Sequence, residues 1–146
     1  MFDVELTVGE SDPEGYRTSD RRLAPELGGE QIAFNMFEMA PGQSVCPYHY
    51  EDECEEWIIV LSGRVTLRTP DGEQELGPWD CYFCPAGEAG AHKTTNRTDE
   101  PCRIVIWSNH LSPATAVYPD SNKLGAWPID KLFRIATAVE YFDGEL

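Results

Sequence analysis

The sequence predicts a single all-β domain, an antiparallel sandwich or barrel. Three observations carry that reading. From about residue 30 onward, short runs rich in β-branched and aromatic residues recur at close to the roughly 8–12 residue spacing of such folds. Between the runs, "PGQ", "SGR", "PDGE", "GPWD", "PAGEAG" and "RTDEP" supply the Gly, Pro, Asp and Asn that tight turns require. No window of about 12 residues repeats its apolar positions with helical spacing. At 146 residues the chain has the length of one domain with a real core.

Taken in order, residues 1–29 are polar and contain Gly and Pro, and they read as an irregular arm with room for one helical turn at "APELGGE". The core spans about residues 30–108, and its expected strands are "QIAFNMFEMA", "SVCPYHY", "EWIIVLSG", "RVTLRTP", "EQELG", "DCYFCPAG", "AHKTTN" and "CRIVIWS". After Trp107, Pro and Gly return too often in "SPATAVYPDSNKLGAWPIDKLFRI" for a regular helix. Residues 109–146 are therefore expected to be an extended segment packed over the barrel. No internal repeat or low-complexity tract interrupts the chain.

Composition narrows the partners. With 26 acidic against 11 basic residues the formal net charge is −15, so nucleic acid and anionic membranes are repelled at long range. A cationic or metal-bound ligand is easier to accommodate. No apolar run approaches the roughly 18 residues of a membrane span, and "MFDVELTVGESDPEG" lacks a basic and then apolar leader, so the expected location is the cytoplasm. The five cysteines, Cys46, Cys54, Cys81, Cys84 and Cys102, are an odd set and are expected to be reduced thiols. Strand alternation would put Cys81 and Cys84 on opposite faces, which argues against a redox pair.

The chemistry concentrates in "HYEDECEE", where His49 is followed by Glu51, Asp52, Glu53, Glu55 and Glu56. Like charges at this density repel, so the stretch is either a solvated loop or the surroundings of a cation. Residues i and i+2 of a strand share a face, so His49 and Glu51 point together while Tyr50 points away. In "EWIIVLSG", Glu56, Ile58 and Val60 share one face, and Glu55 faces away from Glu56. His92 follows a Gly-rich turn that would return it to a neighbouring strand. Asp52, Glu53 and Glu55 read as solvated turn charges.

At these residues the chain resembles the cupin superfamily. Gly42, His49-x-Glu51, Glu56 and Gly63 resemble the first cupin motif, and Pro85, Gly87, His92 and Asn96 in "PAGEAGAHKTTN" resemble the second. The resemblance covers about residues 30–108. It implies a cupin-type antiparallel β-barrel, a double-stranded β-helix or jelly roll, with one divalent metal ion (Mn, Fe, Zn or Ni) held by His49, Glu51, Glu56 and His92. Three departures stand out. Glu51 occupies the slot of a histidine, the step from Gly42 to His49 is one residue longer than usual, and Trp79 replaces the glycine of a Gly-Asp turn. A carboxylate oxygen ligates at about 2.0–2.2 Å, close to an imidazole nitrogen, so the exchange at Glu51 is geometrically permitted. Two imidazoles and two carboxylates would neutralise a divalent ion. A zinc site using Cys54 with His49 is an alternative.

The resemblance implies a small metal-binding protein that acts on or binds a small organic metabolite in the barrel, with dioxygenase, decarboxylase or isomerase chemistry open. The alternative is a metal-free binding or sensor module for a sugar-like ligand. Tyr48, Tyr50, Tyr82, Phe34, Phe37 and Trp107 are candidates to line a pocket or a subunit face. Trp57, Ile59 and Leu61 share the outward face of their strand, an apolar stripe that suggests pairing of two subunits as a homodimer.

Overall fold

The computed structural model of the chain describes residues 6–8, 12–109 and 113–145. Parts of both expected arms, residues 1–5, 9–11, 110–112 and 146, lie outside the described residues. The strands are β1 Thr7–Val8, β2 Ser19–Arg22, β3 Ile32–Met39, β4 Tyr50–Glu51, β5 Glu56–Ser62, β6 Val65–Thr69, β7 Gly72–Leu76, β8 Cys81–Cys84, β9 Lys93–Thr95, β10 Cys102–Asn109, β11 Ala114–Tyr118, β12 Lys123–Trp127 and β13 Lys131–Arg134. A single helical turn, α1 Leu23–Glu26, sits where "APELGGE" allowed one.

Every strand pairing is antiparallel. One layer is a six-stranded sheet in the order β1-β2-β3-β10-β5-β8. The other is made of β13-β12-β11-β4 and β7-β6-β9. An isolated bridge between His49 and His92 links the β4 and β9 lines. The layers form an all-β jelly roll of the expected class, not closed by strand hydrogen bonds among the described residues.

Alternation decides what lies between the layers. Ile58 and Val60 of β5, Val65 and Leu67 of β6, and Ile104 of β10 are fully buried, while Arg103 between Cys102 and Ile104 is exposed. Together with Met39, Leu76, Cys84, Cys102 and Ile106 they form one core. Each large side chain so buried contributes about 1.5–3 kcal/mol. Phe37, on the same face of β3, packs against that core and reaches the cavity beyond it.

Three segments differ from the sequence expectation. "SVCPYHY" forms only bridges at Ser44 and His49 before β4, because Pro47 has no backbone N–H to donate to a ladder. Part of the N-terminal arm pairs as β2 with β3, and the tail folds into the meander β11-β12-β13, joined to the domain through β4. In "ATAVY" and "KLGAW" the small residues Ala116 and Gly125 are buried at register partners, and their closeness lets the two strands pack.

Candidate metal centre

His49 precedes β4, His92 precedes β9, and Glu56 opens β5 in the facing layer. The two histidines exchange backbone hydrogen bonds, His49 N–H to His92 O at 3.1 Å and His92 N–H to His49 O at 2.8 Å. Their rings lie 4.8 Å apart, tilted by 51°. One donor atom from each of His49, Glu56 and His92 lies within 4.8 Å of the others.

Hydrogen bonding fixes both imidazoles. His49 Nδ1 is 3.0 Å from the Pro47 carbonyl oxygen, and His92 Nδ1 is 2.9 Å from that of Gly90. A carbonyl only accepts, so each Nδ1 carries the proton and donates, leaving Nε2 with a free lone pair. This is the outer-shell arrangement typical of metal-ligating histidines. His92 Nε2 stands 3.3 Å from Glu56 Oε2, yet it is buried and has no hydrogen-bond partner.

Electrostatics points the same way. Burial first, then the neighbouring His92, brings the pKa of His49 down to about 4, and burial lowers that of His92. Both rings are therefore neutral at pH 7. Burial, reinforced by the charge of Glu51, pushes Glu56 up to about 8. Without a cation, the site resists holding the carboxylate in its charged form. The buried lone pair on His92, the fixed tautomers and the disfavoured carboxylate all fit a divalent ion.

Glu51 lines the cavity beside this group and is near enough to act on Glu56, but it lies outside the set of three converging donors. Glu55 is exposed, and its backbone N–H donates to Asn109 Oδ1. Cys54 is buried on the cavity wall and is also outside the donor group. None of the five cysteines forms a disulfide, and Cys81 is exposed while Cys84 is buried.

Asn96, four residues beyond His92, is completely buried. Its amide donates to Met39 O at 2.9 Å and Glu100 O at 2.8 Å, and its Oδ1 accepts from Thr98 N–H and Thr98 Oγ1. These bonds tie the end of β9 to β3 and so hold His92 in place.

Of the three donors, Glu56 lines a cavity of about 900 Å³, together with Glu51 and Cys54. The N-terminal arm contributes Asp20, Arg22 and Pro25, and the C-terminal segment contributes Trp127 and Asp130. Tyr118 of β11 stacks on His49 with ring centroids 5.7 Å apart. Sequence reasoning did not place these arm residues at the site. The alternation in "ATAVY" and "KLGAW" was the signal that the tail returns as strands.

The described residues include no helix long and apolar enough to cross a membrane. No curated protein sequence matches the chain. Among solved structures it is similar to a sugar phosphate isomerase of the cupin superfamily from Silicibacter pomeroyi, at 26% identity over 97% of this chain and 94% of that one, with a TM-score of 0.83. A structure from Acidithiobacillus ferrooxidans shares the fold at 23% identity over 95% of this chain and 89% of that one, TM-score 0.82. The polyketide cyclase RemF from Streptomyces resistomycificus is 28% identical over 77% of this chain and 78% of that one, TM-score 0.58. The cupin domain profile matches residues 35–108, the span that carries both motifs and the three converging donors. The chain belongs to the cupin family.

Proposed function

We propose that this chain is a metal-dependent isomerase of a small polyhydroxylated carbonyl compound, a sugar or sugar phosphate, with one divalent ion held by His49, Glu56 and His92. The observation that carries the reading is the buried, unpartnered Nε2 of His92, converging with donor atoms of His49 and Glu56. The substrate class is supported by the likeness to the Silicibacter pomeroyi protein and by four polar side chains in the cavity wall, Asp20, Asn35, Ser108 and Asn109, which offer partners for hydroxyl groups. Arg22 is the one basic side chain among the described lining residues. The chain works as a homodimer in the cytoplasm; five cysteines without a disulfide support a reducing compartment.

When bound, the ion supplies Lewis-acid polarisation of a substrate oxygen. Glu51 is assigned the proton transfer: its carboxylate takes the proton from the carbon beside the carbonyl and returns it to the former carbonyl carbon. One C–H bond breaks and one forms, a hydroxyl proton passes between the two oxygens, and no oxidant is consumed. The neutral His49 and His92 keep their Nδ1 protons on backbone carbonyls and do not compete for the transferred proton. Phe37 and Trp127 give the cavity an apolar wall.

The test is incubation of metal-loaded protein with a panel of aldose and ketose phosphates in D₂O. Solvent deuterium should appear on the carbon beside the carbonyl, and Glu51→Gln should abolish the exchange while leaving metal bound. Sugar binding by metal-free protein with no exchange on any substrate would instead favour a binding or sensor module.

A further inference from the structure

We propose that the C-terminal arm, residues 128–145, docks on a second copy of this chain, across the outer aromatic face of its six-stranded sheet. The proposal rests on the homodimer reading and names the segment that makes the contact.

Within its own chain the arm is held along one edge, where β13 pairs with β12, and its apolar side chains stay uncovered. Every residue from 128 to 145 is exposed. The Ile135 N–H bonds to Asn122 O, and beyond it the backbone bonds are local: Ala138 to Ile135, Asp143 to Glu140 and Glu145 to Phe142. Yet the segment carries Ile129 at 63% exposure, Leu132 at 54%, Phe133 at 48%, Ile135 at 41%, Val139 at 70%, Tyr141 at 88% and Phe142 at 72%. The Tyr141 and Phe142 rings meet edge to face at 4.7 Å. Together the seven exposures equal a little over four fully exposed large side chains. At about 200 Å² each that is roughly 800 Å², the area one partner contributes to a standard interface. A monomer rarely leaves so much apolar surface in water.

A matching surface lies elsewhere on the same chain. Register aligns Phe34, Trp107, Trp57 and Phe83 as one cross-strand row on the outer face of the six-stranded sheet. Trp57 stacks on Trp107 at 5.9 Å and meets Phe83 at 4.7 Å. Met36, Val105 and Ile59 form the next row. Trp57 and Phe83 are each 37% exposed, so the arm of the same chain does not cover them. Two apolar surfaces that do not meet within one molecule can be satisfied reciprocally by a two-fold pair. The 11 residues from Ile135 to Glu145 span at most about 36 Å, against a domain radius of gyration of roughly 15 Å, so reach is sufficient.

Other occupants fit less well. Pairing β13 with its own copy edge to edge would set Lys131 opposite Arg134, and like charges directly opposed are destabilising. Four acidic residues, Asp130, Glu140, Asp143 and Glu145, outnumber Lys131 and Arg134, so an anionic membrane gains nothing from the arm. Docking also has a consequence for the site. Trp127, Pro128 and Asp130 at the root of the arm line the cavity, so a docked arm holds the cavity rim in place.

The experiment is sedimentation velocity of the full chain at micromolar concentration, comparing wild type, Tyr141→Asp with Phe142→Asp, and Trp57→Asp, with circular dichroism to confirm folding. A photo-cross-linker at position 142 then identifies the docking face. Wild type is expected at twice the chain mass, both variants as monomers, and the cross-link on a peptide of β5 or β8 in the other copy. A monomeric wild type overturns both the arm and the homodimer. A dimer that survives the arm substitutions but is lost with Trp57→Asp overturns the arm and leaves the homodimer standing. A dimer that survives Trp57→Asp, or a cross-link elsewhere, overturns the docking face.

Discussion

Glu56 ties the stability of the metal-free protein to pH, and replacing it with Gln exposes the effect. Its pKa rises from the ordinary 4.5 to about 8 on folding, chiefly by burial. Because the folded value is the higher one, the stability this group contributes is fully present below pH 4.5 and is lost as pH rises through 8. At 1.36 kcal/mol per pH unit the full loss is about 5 kcal/mol, of which about 3 kcal/mol is expressed at pH 7. His49 has the opposite sign. Its folded value of about 4 lies below the ordinary 6.5, so its contribution is present above pH 6.5 and fades toward 4. His92, also lowered by burial, acts in the same sense as His49, so below pH 6.5 both histidines oppose the Glu56 slope, and above 6.5 the Glu56 slope stands alone. Thermal melts of chelator-treated protein from pH 5 to 8.5 should rise up to about pH 6.5 and then fall. Glu56→Gln should lack the fall and melt roughly 10 °C higher than wild type at pH 7, at about 3–5 °C per kcal/mol for a chain of this size. A saturating divalent ion should reverse the order, since only the wild type keeps the carboxylate. Identical pH profiles for wild type and Glu56→Gln would refute the reasoning.

Three further outcomes follow from single residues. Asn96→Ala leaves Met39 O and Glu100 O without their buried donors and should cost about 2–4 kcal/mol, read as a lower midpoint in urea. Trp79 sits at φ 70° with 80% of its surface exposed, so Trp79→Gly should relieve left-handed strain without losing packing and raise stability by about 1 kcal/mol. Thiol titration of the native protein should react fastest at Cys81, the one exposed cysteine, and denaturation should bring the count to five.

Much of the fold was legible because alternation is local. Glu56, Ile58 and Val60 share a face in any strand, and the turn residues bounded β5 to β8 closely. Trp79 shows the same logic in reverse. The residue standing where related turns have glycine adopts a glycine-like φ. The arms were harder to read, because β2 and the β11-β12-β13 meander depend on partners distant in sequence, and short polar or Gly-containing strands carry little signal of their own. At the site, His49, Glu56 and His92 could be named from motif and alternation. Whether Glu51 joins them turns on side-chain reach across the cavity, which sequence spacing does not encode.

The most direct measurement is anomalous diffraction from crystals soaked in Mn²⁺ or Zn²⁺, with His92→Ala crystals as the control. One peak per chain is expected within about 2.0–2.3 Å of Nε2 of His49, Nε2 of His92 and a carboxylate oxygen of Glu56, and it should vanish in the variant. A wild-type site without a peak, or a peak held instead by Cys54 or by exposed acidic residues such as Asp52 and Glu53, would contradict the account.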